Sequence, residues 1–286
     1  MTKISVVLPT YNGSRFLSEA LESILSQTIS DFELIIIDDC STDETPKIIA
    51  EYAKKDARIQ VITNKRNKQL PASLNIGFAV AKGKYLTWTS DDNRYIPTAF
   101  EEMLTVFDSY PETDFVYADM RIINEVGQFI KNEKLKYPTA LYNGCCIGAC
   151  FLYRHSCFEQ LGGYDETLFC AEDYEYWLRL YTNGKKFKKL NKILYEYRQS
   201  STSLTATKQK QVQQKTFEVK LNYWSKWIGS SYKKTASLFK QFKRLQNKNI
   251  LTDILTVSPF WGRWFYHIFL FKKIIRRNNE KTKSLV

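Results

Sequence analysis

Histidine is nearly absent from this chain, and so is any spacing that would let cysteine and histidine share a metal. Two histidines, His155 and His267, stand among 286 residues. Six cysteines are present, at positions 40, 145, 146, 150, 157 and 170, and none forms a C-x-x-C pair. This excludes a thiolate–imidazole zinc site, and free thiols in a reducing compartment are the simplest account. Long apolar runs are missing at the start. Residues 4–8 are apolar but stop at Pro9, far short of the core of a secretory leader or of a membrane span. The expectation is a cytosolic catalytic part. No internal repeat is found, which excludes solenoids and propellers. Acidic residues are scarce in one region only. Residues 205–286 carry 18 Lys and Arg against 3 Asp and Glu (+15), whereas residues 1–204 carry 24 against 27 (−3). The formal net charge of +12 therefore belongs to the tail.

What is present is an alternation of strand and helix signals, with 44% hydrophobic residues to build a core. Residues 4–8 read as a buried strand, and residues 14–27 follow with Leu17, Leu21 and Leu25 at helical spacing. Residues 32–37 are the next apolar run. Ser41-Thr42-Asp43-Glu44 has the spacing of a capping box and predicts a helix to about Tyr52. Residues 59–63 read as a third strand, 72–81 as a helix closed by Gly83, and 85–89 as a fourth strand. Pro97 suits the first turn of a helix reaching Phe107. Residues 114–118 and 121–130 read as two strands near a turn at Gly127. Residues 140–200 read as irregular, except for a helix over 172–181 with Tyr176, Trp177 and Leu180 inward. Beyond 205 the chain turns polar, then Phe217, Leu221, Trp224 and Ile228 form an amphipathic stripe. This order predicts an α/β fold, a mostly parallel central sheet with flanking helices on both faces, and a helical C-terminal appendage. The expected division is a domain over 1–204 and a basic, aromatic-rich helical region over 205–286.

In such sheets ligands bind beyond the carboxyl ends of the strands. Three segments fall there: Pro9-Thr10-Tyr11-Asn12, Asp38-Asp39 and Asp91-Asp92. The last pair, within Thr89-Ser90-Asp91-Asp92-Asn93, is the most informative. Two carboxylates at the end of a buried strand are costly unless a cation sits there. A divalent metal with oxygen ligands, holding a diphosphate, is the common solution. A solvated turn is the ordinary alternative, and convergence of the three loops weighs against it.

An ordered set of motifs carries a family resemblance over about residues 3–200. The set comprises Val7-Leu8-Pro9-Thr10-Tyr11-Asn12, Ser23-Ile24-Leu25-Ser26-Gln27-Thr28 and the run from Phe32 to Asp43. Asn75-Ile76-Gly77, Ser90-Asp91-Asp92, Gly162-Gly163-Tyr164-Asp165 and Glu172-Asp173 complete it. It resembles the family-2 glycosyltransferases, and around 25–33 and 89–93 their SpsA-like spore-coat type. The resemblance implies a GT-A fold with a Rossmann-like nucleotide-binding half, a nucleotide-diphosphate sugar donor (a UDP-sugar), Mn²⁺ or Mg²⁺, and inversion at the anomeric carbon.

It also implies roles. Pro9, Tyr11, Asn12, Asp38, Asp39 and Asp91 fall at donor-binding positions. Tyr11 would stack on uracil and Asp39 would accept its N3–H, while Asp38 would fix the loop or the ribose. Asp39 is equally placed to face the N-terminus of the helix after Ser41. Asp92 is the expected metal ligand, with Asp91 on the ribose or a metal-bound water. The chain departs from the family's fuller Asp-x-Asp-Asp pattern at Thr89 and has no histidine near Gln199, so the ion is expected to arrive mainly with the nucleotide. Asp173 is the expected general base, since inversion needs one carboxylate to take the acceptor's proton. Glu172 competes for that role, and both could simply open the helix. Lys65, Arg66 and Lys68 could touch diphosphate or form a solvated run. Trp88 reads as core before sugar platform.

In the tail, residues 258–277 combine Phe260, Trp261, Trp264, Phe265 and Tyr266 with Lys272, Lys273, Arg276 and Arg277. This pattern suits an interfacial helix on an anionic membrane, or packing on protein. Nucleic acid is not expected, because no recognised module accompanies the charge. The expected protein transfers a sugar to a glycan or lipid-linked acceptor in cell-envelope assembly, at the inner face of the membrane, with a homo-oligomer left open. Two rivals remain: a polyprenyl-phosphate sugar transferase, and a non-catalytic nucleotide-sugar-binding or scaffold protein. A sugar nucleotidyltransferase would need a Gly-rich loop where this chain has Pro9-Thr10-Tyr11-Asn12-Gly13.

Overall fold

The structure, a computed structural model, describes residues 2–201 and 203–228, without the side chains of 221 and 224–228. The expected interfacial helix at 258–277 and three of the four stripe side chains, Leu221, Trp224 and Ile228, lie outside the described residues. The chain forms two compact units, Met1–Val219 and Lys220–Val286. The expected division after 204 falls before this boundary.

The N-terminal half follows the sequence pattern. Strand β1 (Ile4–Thr10) is buried along its whole length, helix α1 (Leu17–Leu25) presents Leu17, Ala20, Leu21 and Ile24 to the core, and β2 (Phe32–Asp38) is another buried apolar run. Continuous apolar strands are what a parallel sheet covered on both faces requires. Helix α2 (Thr45–Lys55), β3 (Ile59–Thr63), α3 (Leu70–Val80) and β4 (Tyr85–Trp88) complete the set. Strands run in the order β3-β2-β1-β4, all parallel.

One helix start differs from expectation. Ser41 does not cap α2. Its hydroxyl accepts the Asn12 N–H at 3.0 Å, and Asp43 takes over, accepting from Thr45 N at 3.0 Å and from Ser14 N at 3.2 Å. The loop after β1 thus uses the hydroxyl that the capping box would have used. Helix α2 starts at Thr45 with Pro46 in its first turn.

The second half is mixed. A short β5 (Arg94–Tyr95) and α4 (Ala99–Ser109) lead into β6 (Phe115–Ile123), one nine-residue strand where two strands were expected. The break lies later. Asn124 Oδ1 accepts from the N–H groups of Val126 (3.1 Å) and Gln128 (2.8 Å), an Asx-type turn closed by Gly127 at φ 83°. Strand β7 (Phe129–Glu133) returns from it. The stretch read as irregular holds β8 (Phe151–Arg154), α5 (His155–Leu161) and the twelve-residue β9 (Phe187–Arg198), and the helix expected over 172–181 is α6 (Glu172–Thr182).

Strand β9 escaped the sequence pattern because lysines interrupt it. Lys189 is accommodated inside the sheet by an ion pair to Asp119 at 2.8 Å, both side chains nearly buried. The sheet continues β4-β8-β6-β9-β5, with β8 antiparallel to β4 and to β6, β9 parallel to β6, β5 antiparallel to β9, and β7 off the other edge of β6. Helices α7 (Leu204–Thr207) and α8 (Gln209–Ile228) follow, and Phe217 of the expected stripe is buried. No helix among the described residues is long and apolar enough to cross a membrane.

Candidate active site

The carboxyl ends of β1, β2 and β4 meet through hydrogen bonds. Thr10, the last residue of β1, donates its hydroxyl to Asp91 Oδ2 at 2.5 Å, and its carbonyl accepts Asp39 N–H at 2.9 Å. Asn12, held at φ 53°, accepts Thr42 N–H on its side-chain oxygen at 2.8 Å. The three loops singled out in the sequence therefore form one wall. Gly13 is part of it, because a Cβ there would stand 2.0 Å from Asp91 Oδ2. Tyr11 projects from this wall with 51% of its surface exposed, which leaves a ring face free for stacking. Pro9 stands apart from it, buried within β1 beside Ile37 of β2.

The aspartates differ in what already occupies them. Asp38 is buried and accepts Ser41 N–H at 3.0 Å, so it fixes the loop. Asp39 accepts from Asn64 Nδ2 (2.8 Å), Lys68 N (2.8 Å) and Gln69 N (2.9 Å). The helix it serves is α3 and not the helix after Ser41. A carboxylate has about four acceptor sites, so one remains on Oδ2. Lys65, Arg66 and Lys68 have exposed side chains.

The next pair is strained electrostatically. Burial pushes the Asp91 carboxyl up to about 7, against the lowering effect of the Thr10 hydroxyl and with the charge of Asp92 adding to it. Burial also raises Asp92, while the Arg198 guanidinium pulls it back. Asp92 Oδ1 is buried with no hydrogen-bond partner among the described residues. An orphaned carboxylate oxygen costs free energy, and a cation would satisfy it. The residues present thus fit a divalent ion held by Asp92. Among the described residues no group of three or more His, Cys, Asp or Glu side chains stands ready for a metal, so phosphate and water oxygens would supply the other ligands.

Thr89 is turned the other way. It is 2% exposed and its hydroxyl bonds the Tyr195 hydroxyl on β9 at 2.5 Å. Trp88 is half-buried, with its indole N–H on the Tyr164 hydroxyl at 2.9 Å and its ring edge-on to Phe151. Tyr164 is in turn locked to Asn75 by bonds of 2.7 and 2.9 Å. The Asn75-Ile76-Gly77 and Gly162–Asp165 motifs therefore make one contact.

Asp173 lies in the first turn of α6. It accepts Tyr174 N–H at 2.6 Å and the Cys145 thiol at 3.8 Å, and burial raises its carboxyl. Glu172 is more buried, its Oε2 has no partner, and burial followed by the charge of Asp173 raises it. Burial pushes the Tyr197 phenol up, and the charges of Asp92 and Asp173 both add to it. Tyr197 of β9 is thus within electrostatic reach of both acids. The sequence reading missed Thr10, Asn64 and Arg198 as partners of the acids, and Tyr195 as the partner of Thr89. Thr10 and Asn64 sit at strand ends, where that reading already looked for ligands.

The raised Glu172 carboxyl has a consequence for stability. Its protonated form is favoured in the folded chain, so the stability it lends is complete at low pH and is lost as pH rises through the raised value. Glu172→Gln removes that loss. Relative to the parent, the ligand-free variant is expected to gain about 1 kcal/mol more at pH 9 than at pH 5, or about 2–4 °C. Thermal denaturation at the two values measures it, and an equal difference at both would refute it.

The family model described as "Glycosyl transferase family 2" matches residues 5–162. The putative glycosyltransferase EpsE of Bacillus subtilis is 33% identical over 208 residues, 70% of this chain and 74% of the relative. An uncharacterized glycosyltransferase of Methanocaldococcus jannaschii is 31% identical over 204 residues, 68% of this chain and 70% of the relative. Among solved structures, S. aureus TarS in complex with UDP superposes with a TM-score of 0.68 at 19% identity, covering 90% of this chain and 81% of that one. The mannosyltransferase PcManGT of Pyrobaculum calidifontis, in complex with GDP-Man and Mn²⁺, gives 0.62 at 14% identity, covering 95% and 80%. The fold is of the GT-A type.

Proposed function

The chain belongs to glycosyl transferase family 2, and from that premise we propose that it is an inverting, metal-dependent transferase that moves a sugar from a UDP-sugar to an acceptor hydroxyl. The observation that carries this reading is Asp92 Oδ1, buried without a partner at the end of β4. It stands beside Asp91, which Thr10 ties to the loop bearing Tyr11. In this reading Tyr11 stacks on the base, and the one open acceptor site of Asp39 receives the base N–H. Asp38 and Asn12 keep the loops closed around them. Asp92 holds the divalent ion, which when bound offsets charge on the leaving nucleoside diphosphate. Asp173 takes the proton from the acceptor hydroxyl, and its raised carboxyl makes it a better acceptor of that proton. The TarS and PcManGT complexes, with UDP and with GDP-Man and Mn²⁺, support a nucleotide donor and a metal.

The reading extends to a glycan or lipid-linked acceptor, with residues 258–277 on an anionic membrane surface. The +15 balance of residues 205–286 supports that part.

Calorimetric titration with UDP, GDP and CDP, each with Mn²⁺ and with EDTA, tests the donor site. UDP is expected to bind with Mn²⁺ and to lose at least about tenfold in affinity with EDTA. Absence of binding by all three nucleotides with the metal present would overturn the catalytic reading.

A further inference from the structure

Arg198, the last residue of β9, has a fully buried side chain. A guanidinium with no contact with water is expensive unless its donors are met and its charge is paired. Arg198 meets them on two turns and on the first turn of helix α1. Its Nε donates to the main-chain carbonyl of Asp92 at 2.9 Å. Its Nη1 donates to the carbonyls of Glu125 at 2.8 Å and Asn124 at 3.4 Å, in the β6–β7 turn. Its Nη2 pairs with Glu19 Oε2 at 2.6 Å, and its Cζ lies 4.3 Å from the centre of the Phe16 ring. The main chain adds a further tie, because Arg198 N–H donates to Asn93 Oδ1 at 2.7 Å.

Few of these bonds serve β9 itself. Two of them seize the turn that carries Asp92, from the carbonyl of that residue and from the side chain after it. The others anchor the guanidinium to the segment after β1 and to the β6–β7 turn. Tyr195, three residues earlier on the same strand, holds Thr89 at the head of the same turn. Asp92 is thus fixed at its backbone while its Oδ1 is left without a protein partner. A rigid main chain behind an unpaired carboxylate oxygen is the arrangement that preorganises a ligand for a cation.

We propose that Arg198 is a positioning residue for Asp92: its guanidinium clamps the Asp92 carbonyl to helix α1 and to the turn after β6 and so sets the affinity of the Asp92 carboxylate for a divalent cation. This rests on the metal role assigned to Asp92 above. Arg198 touches neither donor nor ion. Lysine cannot replace it, because an ammonium is a single point of donation and cannot span two turns and a helix as a planar fork does.

The test compares the parent with Arg198→Lys and Glu19→Gln, on the full chain. The concentration of Mn²⁺ that half-saturates UDP binding is measured by calorimetry, and thermal stability is measured alongside. Arg198→Lys is expected to raise the half-saturating Mn²⁺ about tenfold or more. Glu19→Gln slackens the exposed end of the clamp, together with the Glu19–Arg94 ion pair at 3.0 Å, and is expected to raise it by about threefold. UDP binding at saturating Mn²⁺ should recover to the parent affinity in both. A role confined to packing would lower the melting temperature and leave the half-saturating Mn²⁺ unchanged, and that result in a folded Arg198→Lys overturns the proposal. Should Arg198→Lys not fold, Glu19→Gln decides alone, and an unchanged Mn²⁺ requirement in it overturns the proposal. If the parent itself binds UDP equally well with EDTA, the metal reading of Asp92 has failed, not the clamp alone.

Discussion

Asp92→Asn is expected to lower kcat/KM by about 10³-fold or more and to abolish the Mn²⁺ dependence of UDP binding. The change keeps shape and volume but removes the charge from an oxygen that has no protein partner. In the transition state the leaving nucleoside diphosphate gains negative charge, and loss of one preorganised electrostatic contact at such a centre costs about 10²–10³-fold. Loss of the group that holds a divalent ion should exceed that. Stability should move the other way. Burial already raises the Asp92 carboxyl in the ligand-free chain, so the charge is borne at a cost, and an amide in its place should leave the melting temperature equal or higher. A variant with parent-like Mn²⁺-dependent UDP binding would sink the assignment. A variant that loses activity and melting temperature together would mean that the turn between β4 and β5 had collapsed, and the loss could not then be credited to the metal.

The opposing signs of these two effects show what kind of site this is. Asp91, pushed up to about 7, the orphaned oxygen of Asp92, and Glu172, with Oε2 unpaired, are all unfavourable in the empty protein. Asp92 and Glu172 conflict with the rule that buried polar groups are satisfied, and Asp91 is satisfied only in part, by Thr10. They lie at strand ends and at one helix start, and among the described residues the other unpaired buried polar side chains, Thr45, Tyr153, Tyr176 and Trp177, carry no carboxylate. That contrast separates a binding site from a solvated turn, and a bound cation and diphosphate would relieve it.

The parallel half of the fold was legible because burial on both faces forces continuous apolar strands, as in β1 and β2. The helix carrying Asp173 was legible too, because Tyr176, Trp177 and Leu180 repeat at helical spacing and all are buried. Strand β9 was not, although it supplies Tyr195, Tyr197 and Arg198 to the site. Its lysines obscure the strand period, and the ion pair that makes Lys189 tolerable, with Asp119 on β6, is seventy residues away in the chain. No local pattern can announce such a partner. The same holds for Asp39, whose bonds to Asn64, Lys68 and Gln69 come from the loop after another strand. Position at a strand end was readable from sequence, but the contacts that set each carboxylate's character were not.

Asp173→Asn carries the second large effect, and it separates two chemistries. A hydroxyl acceptor must lose its proton as the bond to the sugar forms, and a well-placed base contributes about 10²–10⁴-fold. The variant is expected to lose about 10³-fold in kcat within that range, with UDP affinity unchanged, since Asp173 opens α6 and takes no part in the wall formed by Thr10, Asp39 and Asp91. The acidic limb of the parent's pH profile gives an independent check. Only the deprotonated carboxylate can accept the proton, and burial raises Asp173 above the ordinary carboxylate value. Activity should therefore be complete above that raised value and fall as pH drops through it, well before an unperturbed aspartate would titrate. Asp173→Asn should flatten this limb in whatever activity remains. An anionic phosphate acceptor needs no base, so an Asn variant that keeps a tenth or more of the parent kcat would replace the hydroxyl acceptor with a phosphate one. Glu172→Gln completes the comparison. Glu172 is buried deeper, with no partner on Oε2, and its amide variant should keep the acidic limb that Asp173 sets. Loss of that limb in Glu172→Gln, with Asp173→Asn still active, would move the base by one residue.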